Sequence, residues 1–220
     1  MVKVDRSYPA PDSLERESAK ANGSYNKPDV VDRLKRDFND KCYLCELKNL
    51  QDPEVEHLLP YENGKYPERK FDWDNLFWCC GHCNKVKNQK KYSDGIIDCC
   101  KDDPEEYLTF SLEEDKVMVK IIESRVDRPY IAVTATLLNE IYNLKNTGIR
   151  EAACNNRFNA LLENMNVFYR ELDNYIENPQ LPRNKRMIRS LLDRSTAFAA
   201  FKRCYVRKHS SFYPELQELL

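Results

Sequence analysis

The stretch that decides the fold opens with Lys41-Cys42-Tyr43-Leu44-Cys45-Glu46 and closes with Cys79-Cys80-Gly81-His82-Cys83-Asn84. Each half carries a CxxC pair, Cys42 with Cys45 and Cys80 with Cys83, and the pairs lie about 35 residues apart. A CxxC turn aims two sulfurs at one ion, so two such turns supply the four thiolates of a tetrahedral zinc site. Gly81 helps the backbone close around the ion. Four thiolates leave no open position for a substrate, so the expected zinc is structural. Such sites contribute on the order of 10–16 kcal/mol of apparent binding free energy in small zinc peptides. The two halves of residues 40–92 would therefore be clamped together, whatever lies between them. Cys79 offers a competing register with Cys83, but its CxxxC spacing fits less well, and His82 reads as a surface or phosphate-facing side chain.

Around this stretch the chain has 220 residues, 41% of them hydrophobic and 32% charged, with 13 Tyr and 9 Phe. That composition can bury a sizeable core. No run of 18 apolar residues is present, which excludes an ordinary transmembrane helix. The first residues carry acids and no apolar segment, so a secretory leader is not expected and a cytoplasmic location is. In that compartment nine cysteines, an odd number, read as thiols and metal ligands rather than a disulfide framework. The formal net charge is -1, so affinity for nucleic acid must come from local basic patches.

The expected organisation is α+β in three parts: an N-terminal arm and helix over 1–40, a core with a β-hairpin over 41–125, and a mainly helical C-terminal lobe over 126–220. Residues 1–27 read as a polar, Pro-containing arm, and 28–39 as a short helix with Val30, Leu34 and Phe38 on one face. Alternation at Val117, Val119 and Ile121 predicts the second strand of a hairpin over 107–122. Cys154, Phe158, Leu161, Met165, Phe168, Leu172 and Tyr175 are spaced 4-3-4-3-4-3 and form one helical seam, expected to pack internally. Pro179 and Pro182 end that helix; another follows over Leu181–Asp193, and a last one runs from Thr196 to about Lys208.

Between the cysteine pairs lie Glu56-His57-Leu58-Leu59-Pro60 and Asp72-Trp73-Asp74-Asn75-Leu76, and after the second pair come Asn84-Lys85-Val86-Lys87. CxxC, acid-His, Asn-Leu, CxxC and Asn with Lys three residues on, in that order, resemble the HNH endonucleases. The resemblance covers about residues 41–91. It implies a ββα-metal core bracketed by the zinc pairs, with His57, Asn75 and Asn84 as an H-N-N set. Asn84 stands where the family name has its last His.

The residue types suit that chemistry. Phosphodiester hydrolysis needs an activated water, charge stabilisation at phosphorus and help for the leaving oxygen. His57 can serve as general base. Glu56 and Asn84 offer hard oxygen ligands, which suit a catalytic Mg²⁺ or Mn²⁺ rather than a second zinc; the placing of Glu56 on the metal side is carried over from the family. Asn75 would orient the His57 ring through a hydrogen bond. Asn84 and Lys87 share a helical face, so Lys87 could touch the scissile or a flanking phosphate. Lys85, Lys90 and Lys91 are either a solvated face or phosphate contacts. Glu62, Asp72 and Asp74 read as solvated acids, and Trp73, Phe77 and Trp78 as core around the zinc site.

Residues 183–208 hold nine Lys or Arg and one acid, Asp193. Arg186 and Arg189 are the expected DNA-backbone contacts. The bland alternative is pairing of this basic stretch with the acidic residues of 102–115. No base-reading element is visible. Over a longer span, from the short arm through 95–110 to the C-terminal end, the layout is similar to the HNH nuclease subunits of Septu-type and retron-associated anti-phage defence systems. That resemblance implies an ABC/SMC-like ATPase partner and leaves room for self-association within such a complex. No GxxxxGK[ST] run occurs, so the chain supplies no nucleotide site of that kind. Two other readings remain: a zinc-stabilised adaptor without catalysis, and a stand-alone restriction-type nuclease.

Overall fold

The computed structural model describes residues 1–123 and 128–220. The expected boundary between 125 and 126 lies outside the described residues. The arm is more ordered than its composition suggests, for it contains helix α1 (Asp12–Ser18). Helix α2 (Pro28–Asp37) starts with Pro28, whose missing N–H is not needed there, and buries Val30 and Leu34. Asn39 and Asp40 then adopt left-handed backbone (φ 56° and 53°), which turns the chain into the first cysteine pair.

That pair forms a tight knuckle: the Glu46 amide donates to the Cys42 carbonyl and the Cys42 amide to the Leu47 carbonyl, both at 2.9 Å. Strand β1 (Pro53–His57) follows and pairs antiparallel with β2 (Leu76–Cys80), with Glu54 opposite Cys79, Glu56 opposite Phe77 and His57 opposite Leu76. All five residues of β2 are buried, which is why it reads as a continuous apolar run and not an alternating one. Helix α3 (Gly81–Lys87) begins directly where β2 ends.

A second antiparallel pair, β3 (Leu108–Leu112) and β4 (Val117–Ile121), is the expected hairpin. Helix α4 (Pro129–Asn143) lies along it. Asn139 and Asn143, one turn apart, each accept from and donate to the backbone of β4, at Val119 and Val117 respectively. The two amides thereby satisfy backbone groups that an unpaired strand edge would expose.

Helix α5 (Gly148–Glu177) is capped by Thr147, whose hydroxyl accepts from the Arg150 amide. Its 30 residues span about 45 Å. Cys154, Leu161, Met165, Phe168, Leu172 and Tyr175 are buried along it, as the seam requires, whereas Phe158 is half-buried. Helices α6 (Pro182–Leu192) and α7 (Ala199–Lys208) follow, with a short 3-10 helix at Pro214–Leu219 after them. The architecture is thus mixed α+β with two small sheets. One continuous apolar core joins α2, the knuckle, β2, α4, α5 and α7. Among the described residues no helix is long and apolar enough to cross a membrane.

The basic stretch divides in two. Glu105 is buried and accepts from Arg203 Nε at 2.9 Å and Arg207 Nη1 at 2.7 Å, with Arg194 at 3.5 Å. Arg194 also pairs with Asp103. These three arginines therefore pair with Asp103 and Glu105 of the acidic segment, as the alternative reading had it for part of the stretch. Arg183, Lys185, Arg186 and Arg189 on α6 remain exposed.

Candidate metal centre and cleft

Cys42, Cys45, Cys80 and Cys83 are all buried, and their sulfurs lie within 4.8 Å of one another. Zinc–sulfur bonds of about 2.3 Å place tetrahedral sulfurs roughly 3.8 Å apart; the Sγ atoms of Cys45 and Cys80 are separated by 3.9 Å. The four cysteines are placed to hold a metal ion and fit a structural zinc site. Cys79 sits just outside the set, its sulfur 3.9 Å from that of Cys42.

Two groups from the helical lobe reach this cluster. Arg157 of α5, buried among apolar side chains, donates from Nη2 to the Cys80 sulfur at 3.0 Å and from Nη1 to the Ala153 carbonyl at 2.9 Å. A guanidinium there would offset part of the negative charge that four thiolates carry around a zinc ion. The Tyr142 hydroxyl of α4 donates to the Cys45 carbonyl at 2.6 Å. His82 is not the surface side chain that its neighbours suggested. It is buried, and its Nε2–H donates to the Ile141 carbonyl at 2.9 Å. Burial holds it well below the usual histidine value, at about 4, with Arg157 adding to the effect.

Beside the cluster lies a cleft of about 870 Å³, whose lining includes Glu56, His57, Asn84 and Lys87. β1 supplies the first two and α3 the others. Adjacent strand residues ordinarily face opposite ways, yet both Glu56 and His57 line this cleft, at the strand's end.

The His57 ring donates from Nε2 to the Lys70 carbonyl at 3.0 Å. A carbonyl only accepts, so this contact puts the proton on Nε2 and leaves Nδ1 as the basic nitrogen. Burial lowers the pKa of His57, opposed by the Lys70 carbonyl and reinforced by the Lys87 ammonium, which favours the neutral ring. Tyr25, from the arm, and Tyr61 stand edge-on to it at 4.5 and 4.9 Å between ring centroids.

Asn75 does not touch the imidazole. Its Oδ1 accepts from the Leu59 amide at 2.7 Å, and its Nδ2 donates to the Leu59 and Arg69 carbonyls, both at 2.9 Å. Its grip is on the loop, one residue from the carbonyl that holds His57. Its role is thus indirect because the ring's partner is backbone and not an amide side chain.

Lys87 also departs from expectation. It is buried, with Nζ 2.5 Å from Glu56 Oε1 and donating to the His57 carbonyl at 3.0 Å. The helical register that puts it on the Asn84 face points it inward, onto the carboxylate. The other oxygen of Glu56 accepts from the Tyr43 hydroxyl at 2.7 Å. Tyr43 lies between the two cysteines of the first knuckle, so the sulfur cluster and the cleft share a hydrogen bond. Burial pushes Glu56 above the usual carboxylate value, with Lys87 and Tyr43 acting the other way.

Asn84 donates from Nδ2 to Glu54 Oε2. Of the remaining expected contacts, Lys85 is exposed on α3, and Lys90 is exposed while lining the cleft, as is Lys65, which the sequence reading did not name. Lys91 pairs with Glu140 of α4. Glu62 lines the cleft, Asp72 caps the turn before β2, and Asp74 accepts from the Tyr8 hydroxyl. Trp73, Phe77 and Trp78 are buried, as expected. Arg186 and Arg189 lie on α6; Arg189 borders a smaller hollow with Arg194 and Arg203. The expectations missed Tyr25, Tyr61, Lys65, Glu54 and Arg157. Comparison with protein-family models and with curated proteins finds no match.

Proposed function

We propose that this chain is a metal-dependent endonuclease of the HNH type that hydrolyses phosphodiester bonds of DNA. The observation that carries the reading is the meeting of Glu56, His57, Asn84 and Lys87 in one cleft beside the sulfur cluster. β1, β2 and α3 supply the two strands and helix that a ββα-metal core would need.

The oxygen donors fit a hard divalent ion. A carboxylate has about four lone-pair sites, and Lys87 and Tyr43 engage one on each oxygen of Glu56, so others remain. Asn84 turns its amino group to Glu54, which leaves Oδ1 as the end available to a cation. Glu56 and Asn84 would hold Mg²⁺ or Mn²⁺, with water completing the shell. Such an ion would supply Lewis-acid stabilisation to the phosphoryl group and the leaving 3′ oxygen. His57 takes the proton of the attacking water at Nδ1, while the Lys70 carbonyl holds its Nε2–H. Asn75 fixes the loop carrying that carbonyl. Lys65 and Lys90 at the rim, and Arg186 and Arg189 on α6, meet flanking phosphates through sequence-independent contacts. The products are a 5′-phosphate and a 3′-hydroxyl. The C-terminal helices dock an ABC/SMC-like ATPase subunit that controls cutting in an anti-phage defence complex; co-purification of the two chains checks that part.

The decisive experiment is His57→Ala. Nicking of plasmid DNA in Mg²⁺ or Mn²⁺ is lost, while zinc content stays at the wild-type value and the chain remains folded at the assay temperature. Equal cleavage by the variant would remove His57 from the mechanism. One observation favours the adaptor reading instead: Lys87 already neutralises the Glu56 charge. That reading expects nucleic-acid binding without cleavage in any divalent metal.

A further inference from the structure

We propose that Glu54 is a positioning residue, which holds the Asn84 amide so that its Oδ1 faces the cation seat in the cleft. This rests on the metal reading above. Glu54 and Glu56 are two apart on β1 and therefore face the same way, toward α3. Only Glu56 lines the cleft. Glu54 stands behind, half-buried, with Oε2 accepting from Asn84 Nδ2. An ionised carboxylate accepts and cannot donate, so the amide has one orientation available: amino group to Glu54, carbonyl oxygen away from it.

Gly81 lies against the two carboxylates at the start of β1. A Cβ there would lie 2.9 Å from Glu54 Oε1 and 2.8 Å from Asp52 Oδ2, and the Gly81 amide donates to the Asp52 carbonyl at 3.1 Å. The absence of a side chain at residue 81 leaves room for these carboxylates, and Glu54 reaches across to Asn84, the residue after the last cysteine of the cluster. Glu54 is placed to orient a ligand and not to be one.

The test measures Mn²⁺ binding to the zinc-loaded full chain by the loss of free-ion EPR signal, without substrate. Glu54→Ala is expected to weaken binding on the order of tenfold or more. Glu54→Gln, whose carbonyl accepts the same bond, stays within about threefold of wild type on the same grounds. Asn84→Asp places two acceptors face to face and weakens binding despite its added charge. Combining it with Glu54→Gln restores a donor and recovers the affinity, a result that a general folding defect cannot produce. Glu54→Ala binding within about twofold of wild type, while Glu56→Ala and Asn84→Ala lose the ion, overturns the positioning role and leaves the metal reading standing. Wild-type affinity in Glu56→Ala and Asn84→Ala overturns both. If Glu54→Ala lowers zinc content or melts early, the Asp/Gln double variant decides: no recovery refutes the proposal.

Discussion

Replacing Arg157 by Met tests how tightly the helical lobe is tied to the sulfur cluster. The guanidinium donates to the Cys80 sulfur at 3.0 Å and is almost fully buried. Unit charges about 4 Å apart interact by about 4 kcal/mol at an effective dielectric of 20. That figure is an upper bound, because the guanidinium charge is spread out and its burial costs solvation. Removal of a group hydrogen-bonded to a metal ligand typically weakens metal affinity by about 10–100-fold, or roughly 1.4–2.8 kcal/mol. Arg157→Met keeps the apolar stem and removes the charge, so zinc should bind about 10–100-fold more weakly in chelator competition at fixed pH. Arg157→Lys should fall between, since an ammonium restores charge without the fork. Leu161→Ala, one turn along the same seam, controls for helix packing: it should cost about 2–5 kcal/mol of stability with little change in zinc affinity at temperatures where it stays folded. Zinc affinity of Arg157→Met within about twofold of wild type would refute the electrostatic tie.

Two further outcomes are open to direct measurement. Arg186→Glu with Arg189→Glu, in the His57→Ala background, should weaken oligonucleotide binding regardless of sequence and reduce the salt slope by about 2; an unchanged slope would take α6 off the DNA path. Lys202 is buried, donates to the Ala197 carbonyl, and is pushed down to about 8 by burial, against the pull of Glu46. A cation with a lowered folded value carries its burial cost in full below about pH 8 and sheds it as pH rises toward the ordinary lysine value. The fall corresponds to about 3 kcal/mol. Lys202→Met should therefore be more stable than wild type near pH 7 in urea unfolding, with the gap closing by about pH 10. A gap independent of pH would reject this account.

The cysteine clamp and the α5 seam were legible in the sequence because each is a periodic or paired signal carried by few residues. Arg157 was legible in part: it falls three after Cys154 and four before Leu161, squarely on the buried face, while Phe158 beside it is only half-buried. A charge on that face signals a buried counter-charge, but its identity, a sulfur 77 residues away, belongs to tertiary structure. Glu54 shares the alternation of Glu56, yet its partner lies 30 residues on. Asn75 could not be read correctly from residue types, since its partners are backbone atoms of a loop that carries no pattern. Lys87 shows the limit of counting helical positions: spacing gives the shared face with Asn84, and only packing tells that the face is turned inward.

Tyr43 has a mechanical meaning. A carboxylate at the end of a short strand would ordinarily sample several rotamers, but this one is met by a flat ring rooted between two sulfur donors and by a lysine from the helix that the other pair begins. The aromatic ring cannot bend, so it works as a strut between the sulfur cluster and the cleft. Slack introduced at the first knuckle, by chelation or by oxidation of either neighbouring thiol, would reach Glu56 before the rest of the chain had to come apart.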